Sequence, residues 1–197
     1  MPPMTMPAPL ERLVAAVEAA LTDEHLADDR ARADAMRPAM ADLLAEPIPI
    51  PPEAEEALDG AAVGNLLHGD RAGRFHVLAV VFPEGTSSGV HHHGCWGLIG
   101  YLRGGDEETR YRWDGTQPVE ASRHIWHQGD ITTLLPEQGD GWHRVRNPGP
   151  GTGVSIHVLC RLPADHPHQF WDRAAGTVLA FPFVEHAPGR WRAELQS

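Results

Sequence analysis

The segment VHHH places three histidines, His91, His92 and His93, in a row. Successive side chains of an extended chain point to opposite faces, so His91 and His93 share one face and His92 takes the other. Two imidazoles at i and i+2 can hold one metal ion, although three adjacent histidines can equally form a solvated polar strip. The chain has 13 histidines, seven of them between His91 and His157, and no lysine, since all 16 basic residues are arginine. A lysine Schiff base, a phosphate-loop lysine and a lysine general base are thereby excluded. Glycines flank the histidine pair, giving G-x5-H-x-H-x10-G from Gly85 to Gly104. A second run, Gly129, Pro136, Gly139, His143 and Asn147, reads G-x6-P-x2-G-x3-H-x3-N.

These two runs resemble the paired motifs of the cupin superfamily, which put an H-x-H pair and a later histidine on neighbouring strands of a small β-barrel. The second run is looser than the family pattern around Pro136 and Gly139. The resemblance implies that His91, His93 and His143 are metal ligands. The family's first motif normally adds a glutamate shortly after the second histidine, but Gly97 and Leu98 occupy those positions here. Three neutral imidazoles leave a divalent charge uncompensated and coordination positions open, which favours an anionic ligand such as a thiolate, an enolate or superoxide. The set differs from the two-histidine, one-carboxylate triad of many oxygenases. Zinc with three histidines and a water is the competing occupant.

Cupins that lack the glutamate include the thiol dioxygenases. Over roughly residues 60–163 the chain is similar to cysteine dioxygenase and 3-mercaptopropionate dioxygenase. The similarity is carried by Asn65–Gly104, by WHRVRNPG (Trp142–Gly149) and by SIHV (Ser155–Val158). It implies ferrous iron, Fe(2+), on the three histidines, with Ser155 and His157 in the catalytic Ser-His-Tyr relay. Their i, i+2 spacing puts both on one strand face. Three positions depart from the family: Leu159 stands where the relay tyrosine belongs, Gly97 where animal enzymes have a crosslinking cysteine, and Gly64 where Arg or Gln holds the substrate carboxylate. Loss of that clamp implies a roomier pocket that reads another head group. The expected reaction is addition of O2 to the sulfur of a small thiol or thione, giving a sulfinate. The expected substrate is larger than cysteine, for example an imidazole-thione such as ergothioneine. Expected substrate contacts are Gly64, Tyr101, Trp142 and Arg144, the last two because they adjoin His143. Rival readings are a three-histidine cupin that uses O2 or a Lewis-acid metal on a carbon substrate, and a non-catalytic metal-binding cupin.

The elements that must position these groups are mostly short strands. FHVLAVVF (Phe75–Phe82) is a near-continuous apolar run bounded by Pro83 and Gly85. Strand-like pieces follow at VHHH, LIGYLRG, ETRYRW, HIWHQG, ITTLL, HRVRN and GVSIHVLC, separated by Gly/Pro turns. Many short strands with such turns imply a sandwich or barrel. Residues 8–45 read as helix, with Leu10, Leu13, Val14, Val17 and Leu21 on one face and Met36, Met40, Leu43 and Leu44 on another. Pro38 suits a first turn, which predicts a break near Arg37. A further short helix is expected within 53–68, and DEE (Asp106–Glu108) reads as a turn. Of the remaining histidines, His92 reads as structural on the far strand face and His124 and His127 as surface or core, while His166 and His168 lie in a Pro-rich loop that could form a second metal site.

The expected architecture is a mainly-β cupin with an N-terminal α-helical layer, a single domain over 1–197. Residues 1–60 form the helical layer, 65–163 the metal-binding barrel, and 164–197 a C-terminal extension packed on it. A chain of this size buries about 70% of its unfolded surface, enough for one core. The net charge of −11 argues against nucleic acid and anionic membranes as partners. The N-terminus lacks the basic and apolar regions of a signal peptide, and Cys95 and Cys160 read as a cytosolic thiol pair. The expectation is therefore a cytoplasmic protein, a monomer or small homo-oligomer.

Overall fold

The computed structural model describes residues 6–47, 49–57, 60–136, 141–160, 168–180 and 183–193. Two helices lead the chain. α1 (Ala8–Thr22) buries Leu10, Leu13, Val14 and Val17, as its spacing requires. α2 (Asp29–Leu44) starts at Asp28, whose carboxylate accepts the Ala31 N–H at 2.8 Å. The break falls between the helices, at residues 23–28, and Pro38 sits inside an unbroken α2. Proline there removes the hydrogen bond to the Asp34 carbonyl. Both residues lie on the exposed side, while fully buried Met36, Met40 and Leu43 hold the helix to the sheet. The short helix expected within 53–68 is a single 3-10 turn at Pro52–Glu55, followed by strand.

Among the described residues thirteen strands then form two antiparallel sheets. They are β1 (Val63–Gly69), β2 (Phe75–Phe82), β3 (His91–His92), β4 (Gly97–Arg103), β5 (Gly105–Trp113), β6 (Pro118–His127) and β7 (Ile131–Leu134). The rest are β8 (Trp142–Arg146), β9 (Gly153–Cys160), β10 (Gln169–Asp172), β11 (Thr177–Ala180), β12 (Phe183–Ala187) and β13 (Arg190–Ala193). One sheet runs β12-β13-β1-β2-β9-β4-β7 and the other β11-β10-β3-β8-β5-β6. The architecture is mainly β with two N-terminal helices, as the turn-punctuated sequence implies. The C-terminal stretch supplies strands to both sheets.

At the centre of the first sheet β2, β4 and β9 are buried on both faces, which is why β2 reads as an unbroken apolar run. Val77, Ala79 and Val81, with Val154, Ile156, Val158 and Leu98 of its neighbours, pack in one core with α1 and α2. At Gly100 of β4 a Cβ would meet Met40 Sδ at 2.7 Å, so glycine is what lets α2 settle on the sheet. The opposite parity, Leu78 and Val80 of β2 and His157 and Leu159 of β9, lines the interior.

Two readings of the sequence are corrected by the strands. Asp106–Glu108 is not a turn: it lies in β5, and Asp106 and Glu108 are buried. The chain turns one step earlier, at Gly104, where φ is +68°. Cys95 and Cys160 are joined as a disulfide, with Cα atoms 5.8 Å apart, rather than standing as free thiols. Among the described residues no helix is long and apolar enough to cross a membrane.

Candidate metal centre

β3 pairs with β8 so that His91 lies directly opposite His143. Residues opposite one another in an antiparallel pair project from the same face, so both imidazoles enter the interior. His93 follows the end of β3 and shares the parity of His91. Its Nε2 lies 3.2 Å from that of His91 and 3.0 Å from that of His143, and the third side of the triangle is 3.1 Å. All three side chains are buried, with exposures of 6%, 5% and 1%. Three nitrogens so spaced match one face of a metal whose bonds to imidazole are about 2.0–2.1 Å.

The tautomers decide what the triangle can hold. His91 Nδ1 lies 3.2 Å from the Gly89 carbonyl, which can only accept, so Nδ1 carries the proton. His143 Nδ1 donates to Glu108 Oε1 at 2.9 Å. Burial raises the Glu108 carboxyl, but the His143 hydrogen bond, with Arg110 and Trp126, outweighs it and holds it down at about 2. Glu108 is therefore an anion that only accepts. Both Nε2 atoms thus turn lone pairs toward one point. Burial first, then neighbouring imidazoles, pushes His91 and His93 well below the usual histidine range, so both rings are neutral. A divalent cation fits this donor set. The three histidines that the motifs implied are the ones brought together, and they are the metal-compatible cluster of the described residues.

The triangle opens into a small, mostly apolar pocket, part of it continuous with solvent. Its far wall is Leu78, Val80, His157 and Leu159 from the first sheet, with Gly64 beside them. Ser155 Oγ lies 2.9 Å from His157 Nε2, as their shared strand face requires. Burial, then His143 and His76, drives His157 down to about 3, so its ring is neutral. Leu159 lines the pocket as an apolar group. A Cβ at Gly64 would touch only Leu78 Cδ1, at 3.8 Å, so the space at the lost clamp position is open.

Three expected substrate contacts lie elsewhere. Trp142 and Arg144 flank His143 on β8, and on a strand adjacency in sequence means opposite faces. Trp142 stacks on Trp113 at 5.7 Å and meets His92, on the outside of the second sheet. The half-buried Arg144 reaches Thr109 Oγ1 at 3.5 Å and Glu107 at 4.0 Å. Tyr101 does face inward, opposite Ser155, but packs with Ile99, Leu134 and Trp126 in the filled half of the barrel. Trp96 belongs to the core with the helices, and His124 and His127 are exposed. Asn147 is structural: it donates to the Phe82 and Gly151 carbonyls and is not at the pocket. Gly139 and His166 lie outside the described residues.

Two site residues were not found by sequence reasoning. His168 is 2% exposed, lines the pocket and packs edge-on to His93 at 4.4 Å. It is delivered by β10 pairing with β3, with Phe170 opposite His91, and nothing local signals such a long-range pairing. Glu108 had a faint signal in the alternation of D-E-E-T-R, with Asp106 and Glu108 inward and Glu107 outward.

No family model matches the chain. It is similar to a Klebsiella pneumoniae protein described as an uncharacterized conserved protein with a double-stranded β-helix domain, at 15% identity and TM-score 0.46, over 59% of this chain and 84% of that one. It is similar also to a cupin superfamily protein of Desulfitobacterium hafniense, at 14% identity and TM-score 0.44, over 57% and 91% of the two chains. An RmlC-like cupin from Shewanella frigidimarina gives 16% identity and TM-score 0.42, over 56% and 85%. These neighbours are cupins or double-stranded β-helix proteins.

Proposed function

We propose that the protein is an iron-dependent thiol dioxygenase that acts on a small thiol or thione larger than cysteine. The overall change is R–SH + O2 → R–SO2H: both oxygen atoms join sulfur, which gives up four electrons to O2. One observation carries the reading most: three imidazole nitrogens converge at the floor of an apolar pocket, with no carboxylate among the donors that the described residues offer. Ferrous iron held by His91, His93 and His143 would supply open coordination positions at which sulfur and O2 meet. The rest falls to the chain's own side chains. Leu78, Val80 and Leu159 exclude water from the reacting atoms. His157, neutral and 2.9 Å from Ser155 Oγ, can hold a proton at Nε2 or share it with the serine hydroxyl. His168 presents a second imidazole beside His93. Gly64 leaves room for a substrate body where the resembling enzymes hold a carboxylate.

Metal analysis together with oxygen uptake on a panel of thiols and thiones tests this. The expected result is iron at one equivalent and O2 consumption that depends on the thiol, both lost in His143→Ala. Zinc occupancy with no thiol-dependent uptake overturns the reading in favour of a Lewis-acid or non-catalytic cupin. L-cysteine outperforming every bulkier thiol refutes the substrate assignment alone.

A further inference from the structure

Glu108 sits on β5, diagonal to His143 across the β5–β8 pairing, and is 1% exposed. Its two carboxylate oxygens have different tasks. Oε2 accepts from Arg110 Nε at 3.0 Å and from Trp126 Nε1 at 2.9 Å. Oε1 accepts from His143 Nδ1 at 2.9 Å. A carboxylate whose only task was to neutralise Arg110 would take the guanidinium with both oxygens. Here Arg110 is turned partly away, with one terminal nitrogen on Thr132 Oγ1 at 2.7 Å and the Thr133 carbonyl at 3.1 Å. The arrangement fixes the carboxylate and leaves one oxygen aimed at the imidazole.

We infer that Glu108 is a positioning residue that supplies the metal centre with its negative charge, acting through the His143 imidazole in place of a ligand carboxylate. A carboxylate on the remote nitrogen raises the basicity of a ligand imidazole and fixes its tautomer and tilt. At the same position His91 faces the neutral Gly89 carbonyl, and His93 Nδ1 has no hydrogen-bond partner among the described residues. His143 is therefore the strongest donor of the three, and the centre carries less net positive charge than three imidazoles alone would leave. The carboxylate missing after His93 in the sequence is thus supplied from another strand, one ring further out.

This rests on the metal-binding half of the proposed function and not on its thiol chemistry. Cobalt(II) and zinc(II) affinity, measured by competition with a chromophoric chelator, tests it on the full chain with folding followed by circular dichroism. Glu108→Gln, which keeps the shape and removes the charge, should bind about 10–100-fold more weakly. Glu108→Asp, which keeps the charge, should recover part of the loss. Folded Glu108→Gln that binds within about twofold of the unaltered protein overturns the inference, since a carboxylate hydrogen-bonded to the remote nitrogen of a ligand imidazole has a far larger effect. Because the glutamine amide must face two donors and can disturb folding, a second measurement uses the unaltered protein. In its zinc form the His143 Nδ1 proton should be exchange-protected and further downfield in imidazole NMR than that of His91; the reverse order also overturns the inference. Failure of the unaltered protein to bind either metal removes the metal centre itself, and with it this role.

Discussion

Acidifying the metal-free protein should unfold it steeply, and the size of the effect follows from burial. His91, His93 and His157 are held neutral in the fold, chiefly by desolvation, while the unfolded chain protonates near 6.5. A depressed folded pKa gives stability that is complete above the unfolded value and lost as pH falls. Asp106 acts in the opposite sense. Burial, then Glu108, pushes it up to about 7 against an ordinary 3.8, so between these values the folded state holds a proton the unfolded chain has lost. Three histidines against one aspartate leave the unfolded state with a net two extra protons. That is a slope of about 2.7 kcal/mol per pH unit between about pH 6 and pH 4.5. Below that range Glu108, held down at about 2, adds to the loss. Since a domain has only about 5–15 kcal/mol in total, two pH units remove a large share of it. Urea unfolding with a chelator present, at about pH 6 and pH 5, measures the slope directly. His157→Gln should reduce it by about 1.4 kcal/mol per unit. Stability that stays flat or rises on acidification over this range would falsify the claim that the imidazoles are buried and neutral.

Other consequences are simpler to state. Gly100→Val should destabilise the chain by about 1–3 kcal/mol in denaturant titrations, because a side chain there drives Met40 and α2 off the sheet; an unchanged midpoint means the helix is not seated as described. Reducing Cys95–Cys160, which are 65 residues apart in sequence, should lower stability by about 4 kcal/mol on the chain-entropy account, read as a fall in melting temperature with reductant. Cys95→Ser should show the lower value and no further response to reductant. Gly64→Val should leave stability within about 1 kcal/mol, given the open space at its Cβ, yet raise KM for bulky thiols more than for small ones; equal effects on all thiols would place the substrate elsewhere.

Local pattern carried a good deal of this protein. The apolar run Phe75–Phe82 is β2 to the residue, because burial on both faces writes itself into composition. The i, i+2 rule placed His91 with His93 and Ser155 with His157, because strand alternation is a property of the backbone alone. The same rule, applied to Trp142 and Arg144, would have turned them away from the pocket, since neighbours of an inward histidine point outward. Proximity in sequence misled there. Pro38 misled through a different route: helix propensity is a local preference, and the burial of Met36 and Met40 overrode it.

Taken alone, then, the sequence determined the mainly-β architecture with its helical layer and the histidines of the candidate metal centre. The architecture follows from periodicity and turn residues, which are short-range, and the histidine set from the resemblance of two short runs to the cupin motifs. Only the tertiary structure decided what surrounds the centre. Glu108 reaches His143 because β5 lies beside β8, and His168 reaches His93 because β10 pairs with β3. Which strand becomes whose neighbour is settled by closing the barrel around one interior. The charge and the walls of the site are contributed across those long-range pairings, so they have no signature in any one segment of the chain.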